Sequence, residues 1–130
     1  MKILIVEDDI VSRKILKRFM IEYGDCDVAV NGIEALEAFL SAHQEKNPFD
    51  LICLDIMMPK LDGTKVLKAV RDYEDQKDID LKDRVKVIMT TALNDKKTVM
   101  ESYSIGCEAY AWKPLDLNKI KEVMVTLNLL

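Results

Sequence analysis

Apolar positions gather in short runs, each closed by a turn or a polar residue: Lys2–Val6, Cys26–Ala29, Leu51–Leu54, Val85–Thr90 and Ala109–Trp112. Near-continuous apolar runs of this length read as strands covered on both faces, the mark of a parallel sheet. Between them the apolar spacing changes to that of helices. Ile15, Phe19 and Met20 form one stripe within Ile10–Tyr23, and Leu36, Phe39 and Leu40 another within Ile33–Ala42. Val66, Leu67 and Val70 face inward from Thr64–Tyr73, and Ile120, Val123, Met124 and Leu127 from Leu117–Leu127. A further helix is predicted near Asp95–Ser104, closed by Gly106. Asp9, Asn31 and Asp62 stand where N-caps belong, Asp9 also answering the positive end of the first helix. Strict alternation of strand and helix with right-handed crossovers gives an α/β fold. Five parallel strands lie between helices, in one domain over residues 1–130.

Composition narrows the function. The chain has 130 residues, 49% hydrophobic and 32% charged, which suits one core in an ordinary globule. A net charge of -4 gives no basic footprint, so no direct nucleic-acid contact is expected. No apolar stretch approaches a membrane span, and Met1 leads straight into a strand without a signal-peptide pattern. The three cysteines are scattered, with Cys53 inside an apolar run, which suits a buried hydrophobe in a reducing, cytoplasmic setting. His43, near a helix end among polar residues, is expected in solvent. Asp72–Arg84 (DYEDQKDIDLKDR) is nearly all charge and reads as a solvated helix extension or loop.

Chemistry concentrates where these strands end. The first strand runs into Glu7-Asp8-Asp9 and the third into Asp55. In open α/β sheets the working crevice lies at the carboxyl ends of the strands, near the reversal of strand order. Glu7, Asp8 and Asp55 would therefore share one crevice. Like charges at close range raise each other's pKa unless a cation joins them. Carboxylates with oxygen donors alone are what Mg²⁺ favours. The fourth strand brings the hydroxyls Thr90-Thr91 to the same edge, and the fifth brings Lys113-Pro114. Acid, hydroxyl and amine thus meet at one place.

The stretches ILIVEDD, NGIEAL, LDIMMPKLDG, MTTA and YAWKP, in that order, resemble the response-regulator receiver domains, the CheY-like family. The resemblance covers essentially the whole chain and implies a flavodoxin-like sheet of order 2-1-3-4-5. It also implies a two-component signalling role: Asp55 accepts a phosphoryl group from a histidine kinase or histidine phosphotransfer protein. Mg²⁺, with Mn²⁺ as a possible substitute, would be held by Asp8, by Asp55, by Glu7 through water and by the backbone carbonyl of Met57. Thr91 and Lys113 would meet the phosphoryl group. Tyr110 would be the aromatic switch coupled to Thr91, with Tyr103 and Trp112 beside it on the face of the fourth helix, fifth strand and fifth helix. Lys113-Pro114 is expected to be cis. The charged Asp72–Arg84 connection is longer than the family's usual one.

Such a domain is a phosphoacceptor and not an enzyme, beyond self-phosphorylation and self-dephosphorylation. The expected form is a stand-alone monomer, or at most a weak dimer, acting on a downstream protein. Other readings fail on particular residues. A flavodoxin needs a phosphate-holding loop after the first strand, where this chain has Glu-Asp-Asp. A haloacid-dehalogenase-type phosphatase needs a second Asp where Met57 stands. A degenerate receiver would lack one of the key residues, and none is missing.

Overall fold

A computed structural model describes residues 1–58, 60–92 and 96–130. The strands are β1 (Lys2–Val6), β2 (Asp25–Ala29), β3 (Leu51–Asp55), β4 (Lys86–Thr91) and β5 (Ala109–Trp112). The helices are α1 (Ile10–Met20), α2 (Gly32–Gln44), α3 (Gly63–Gln76), α4 (Lys96–Ile105) and α5 (Leu117–Thr126). A single 3₁₀ turn, Leu81–Asp83, precedes β4. Asp95, the predicted start of α4, and Pro59 of the LDIMMPKLDG motif lie outside the described residues.

All strands pair in parallel, in the order β2-β1-β3-β4-β5. Side chains alternate across each strand, so the central strands feed two cores. Leu4, Val6, Ile52, Leu54, Val87 and Met89 meet Phe39 of α2 and Val66, Leu67 and Val70 of α3. Ile3, Ile5, Cys53 and Ile88 on the other face meet Leu16 and Met20 of α1 and Ile120 and Met124 of α5. The chain leaves β1 to form β2 on one side and then crosses back past β1 to form β3 on the other. The crevice of a doubly wound sheet therefore opens between the carboxyl ends of β1 and β3.

Local chemistry fixes where the helices begin. Asp9 accepts from the Ser12 amide at 2.9 Å, Asn31 from Glu34 at 2.9 Å and Asp62 from Lys65 at 3.1 Å. Asp116 does the same for α5, accepting from Asn118 and Lys119. α4 ends on Gly106, whose φ of 122° lies in the region only glycine adopts without strain. The Lys113-Pro114 bond is cis.

Four expectations need correction. In α1 the inward residues are Leu16 and Met20, while Ile15 is exposed. In α2 Leu40 is exposed and the small Ala35 and Ala42 are buried beside Phe39. Asp72–Arg84 is not wholly solvated: Glu74 is buried, and Arg84 pairs with Asp75 at 2.5 Å and donates to the Ile79 carbonyl. His43 likewise leaves solvent in part, with its ring 4.8 Å from Phe39 and 5.0 Å from Tyr73.

Candidate functional site

The site is built where apolar strands stop being apolar. β1 and β3 run side by side, pairing Val6 with Leu54. The residues that follow, Glu7 and Asp55, are thus delivered to the same edge. Both are buried, Glu7 completely and Asp55 at 3% exposure, while Asp8 is exposed. One carboxylate oxygen from each of Glu7, Asp8 and Asp55 lies within 4.8 Å of the others. Among the described residues this is the grouping able to hold a metal ion.

β4 and β5 complete the edge. Asp55 pairs with Thr90 in the sheet, and Thr91 with Trp112. The Lys113 amide donates to the Thr91 carbonyl at 2.8 Å, and the Ile56 amide to the Thr90 carbonyl at 3.1 Å. Lys113 then turns its amine inward, 3.3 Å from Asp55 and in direct ion-pair contact with Glu7. Thr91 is fully buried beside them.

Backbone packing holds this geometry from below. The Gly63 amide donates to the Ile56 carbonyl at 2.9 Å, and a Cβ on Gly63 would stand 2.3 Å from the Asp55 carbonyl oxygen. Only glycine lets α3 start this close to β3. From α1, Arg13 donates to the carbonyls of Glu7 (3.1 Å) and Asp8 (3.4 Å), which ties down the acidic turn.

Electrostatics show what the site can hold. Burial, and then the neighbouring Glu7, push the Asp55 carboxyl up to about 7 despite Lys113. Burial also acts on Glu7, but its hydrogen bond to Asp55 and the Lys113 amine hold it below the usual carboxylate range. Burial works against the Lys113 charge, yet the two carboxylates raise its pKa above the ordinary value. One amine therefore does not neutralise the acids around it. A hard cation with a preference for oxygen fits this donor set.

A cleft of about 520 Å³ opens beside the acids, lined by Asp8, Met57, Asp62, Thr64, Thr98 and Glu101. Farther along β5 the Tyr110 and Trp112 rings lie 5.1 Å apart, and the Tyr103 ring of α4 is 6.4 Å from Tyr110. The structure thus brings together Glu7, Asp8, Asp55, Thr91 and Lys113 at one edge, with Met57 on its rim and Tyr110 within an aromatic strip. Sequence reading passed over Arg13. Its one signal was an arginine a single helical turn beyond the Asp9 cap.

The sheet is doubly wound, with an acidic crevice at its β1–β3 reversal and the Lys113 amine against the acids. Residues 3–125 match the model of the response regulator receiver domain, and the chain belongs to that family, the receivers of two-component response regulators. The probable transcriptional regulator ycf29 of Porphyra purpurea is 35% identical over 126 residues, covering 96% of this chain and 55% of its own length. The chain spans about half, or much less, of the length of the curated relatives it matches. Among solved structures, the CheX-CheY-BeF3-Mg+2 complex from Borrelia burgdorferi aligns with a TM-score of 0.83 at 27% identity, over 98% of this chain and 88% of that one. A co-crystal of the Saccharomyces cerevisiae histidine phosphotransfer signaling protein Ypd1 with the receiver domain of Ssk1 aligns at 0.80 and 28%, over 95% and 86%.

Proposed function

We propose that this receiver accepts a phosphoryl group on Asp55 from a phosphohistidine donor. One observation carries the reading: Asp55 is buried at the end of β3 in a trio of acids and 3.3 Å from the Lys113 amine. In the transfer the P–N bond of the donor breaks as the Asp55 carboxylate oxygen bonds to phosphorus. The electron pair stays on the imidazole nitrogen, which takes up a proton. Phosphoryl transfer asks mainly for positioning and charge neutralisation, and the site is built for both. Glu7, Asp8 and Asp55, with the Met57 carbonyl, would hold Mg²⁺, and Glu7 would do so through water. When bound, the ion offsets charge on the transferring group and favours the ionised Asp55.

Lys113 begins against the two buried carboxylates and can then pair with a phosphoryl oxygen as a point charge. Thr91 offers its hydroxyl to the same group. Movement of Thr91 would shift the packing of Tyr110 on the adjacent strand, where Thr91 pairs with Trp112 and Tyr110 lies two residues back along β5. The output would be a population shift between two arrangements of the α4–β5–α5 face.

The α1 surface next to Asp8 suits a protein donor. Ile10, Val11, Ile15 and Ile21 are exposed there, among Lys14, Lys17 and Arg18. Scattered apolar exposure is ordinary, but Ile15 and Ile21 gathered with Lys14, Lys17 and Arg18 in one surface hollow suit an interface. A partner presenting apolar and acidic side chains, such as a histidine phosphotransfer protein, would fit. The three cysteines are free, which suits a reducing compartment, and no helix among the described residues is long and apolar enough to cross a membrane.

Acetyl phosphate with Mg²⁺ tests the reading. Wild-type protein should gain an alkali-labile acyl phosphate, EDTA should prevent it, and Asp55→Asn should abolish it. Labelling that survived in Asp55→Asn, or a stable hydroxyl-linked phosphate, would reject Asp55 as the acceptor.

A further inference from the structure

Of the three acids that line the cleft beside Asp55, two already have a task. The cleft, of about 520 Å³, is walled by Asp8 just past β1, by Asp62 and Thr64 where α3 starts, and by Thr98 and Glu101 on α4. Asp8 stands in the acidic trio. Asp62 caps α3, accepting from the Lys65 amide at 3.1 Å and from the Thr64 hydroxyl at 2.6 Å. Glu101 has neither duty. It follows Thr98 by three residues, so the two share one face of α4, and it is exposed.

Charge around this residue is one-sided. Among the described residues no lysine or arginine lines the cleft. The ion pairs formed among them engage neither Asp8 nor Glu101. The amine at the site, Lys113, is turned to the inner acids Glu7 and Asp55. A phosphodonor entering here brings negative charge on its own phosphoryl oxygens. The cleft wall meets that charge with carboxylates, and like charges at this range repel even through water.

Resting on the receiver reading above, we propose that Glu101 is a specificity-determining residue of the phosphodonor cleft. Its carboxylate weights entry against small donors of high negative charge. Acetyl phosphate is such a donor, a dianion near neutral pH. Phosphoramidate is disfavoured less, because its protonated nitrogen leaves a net single negative charge. Its P–N bond is also of the kind a phosphohistidine offers. Glu101 acts on approach alone and takes no part in the transfer to Asp55.

The test compares labelling of wild type, Glu101→Asp, Glu101→Gln and Glu101→Lys by each donor, with Mg²⁺ saturating throughout. Because Glu101 is exposed, all four proteins should melt alike. At low salt Glu101→Gln should label about threefold faster than wild type with acetyl phosphate, the scale of one charge acting on a dianion across a watery cleft. Glu101→Lys changes the charge by two and should gain about tenfold. With phosphoramidate, half the donor charge should leave gains of about twofold or less and about threefold. Glu101→Asp, which keeps the charge, should stay near wild type. The gains should lie in the donor concentration giving half-maximal rate, with the maximal rate unchanged. They should fade at about 1 M salt, where the screening length is about 3 Å.

Glu101→Gln and Glu101→Lys labelling no faster than wild type at low salt would overturn the proposal. So would equal gains with both donors, or gains that persist at high salt, since either would make the effect one of shape. If no protein, wild type included, were labelled by either donor, the receiver reading itself would fall and the proposal with it.

Discussion

Asp55 shows how burial and charge set the character of one residue. Its carboxyl is pushed up to about 7, first by burial and then by Glu7, from an ordinary value of 3.8 in the unfolded chain. Between those two values the folded protein binds the proton that the unfolded chain has released. Stability without metal should therefore fall as pH rises through this window. Asp55→Asn removes the titration, so in EDTA its melting temperature should exceed that of the wild type, by more at pH 8 than at pH 5. Mg²⁺ should shrink the gap by stabilising the wild type. Asp8→Ala should blunt that response, whereas Asp9→Ala should keep it, because Asp9 serves as the α1 cap. A gap that does not widen with pH would show that Asp55 is ionised throughout. The acids were legible in the sequence because each ends an apolar run, and a strand end is a place that periodicity predicts. Arg71, Glu74 and Glu108 were not. Ion pairs join Arg71 to Glu74 and to Glu108, the latter 37 residues away. Charged residues carry no periodic mark of burial, whether in the charged Asp72–Arg84 run, as Glu74 is, or among apolar neighbours, as Glu108 is.

Elements were legible in type and order, and less so in which face they bury. Ile15, Leu16, Phe19 and Met20 are all apolar, so two adjacent stripes on α1 fit the spacing equally. Packing against Ile3, Ile5 and Met124 selects Leu16 and Met20. In α2 the close approach to the sheet favours Ala35 and Ala42 over Leu40, and the pattern of large side chains does not reveal that. Close approach governs α3 as well. A Cβ on Gly63 would meet the Asp55 carbonyl carbon and the Ile56 Cα at 2.9 Å, besides the oxygen already noted. All of these are backbone atoms that cannot rotate away. Gly63→Ala should therefore cost about 1–3 kcal/mol by urea unfolding. It should also slow labelling by acetyl phosphate, because relief comes by moving Asp55. A cost below about 0.5 kcal/mol, the scale of ordinary surface substitutions, would mean that α3 shifts without disturbing the strand.

Across the whole molecule, the proposed chemistry and the proposed docking surfaces fall on different faces. The acids occupy the carboxyl edge of the sheet, α1 presents an apolar and basic surface beside them, and the aromatic strip of Tyr103, Tyr110 and Trp112 lies along α4 and β5. A small phosphodonor needs the crevice alone, whereas a protein donor must also dock. The two routes should therefore separate genetically. Ile15 is 46% exposed and contributes nothing to the α1 core, so Ile15→Glu should leave stability nearly unchanged. The new charge also places an acid among Lys14, Lys17 and Arg18. It should repel an acidic partner and remove apolar contact area together. Transfer from a phosphorylated histidine phosphotransfer protein should fall at least tenfold, in line with the loss of about 1.4 kcal/mol at an interface contact. Labelling by acetyl phosphate should stay within twofold of wild type. Parallel loss of both reactions would place the damage in the acidic crevice and not in docking. An unchanged rate from the protein donor would move the docking face away from α1.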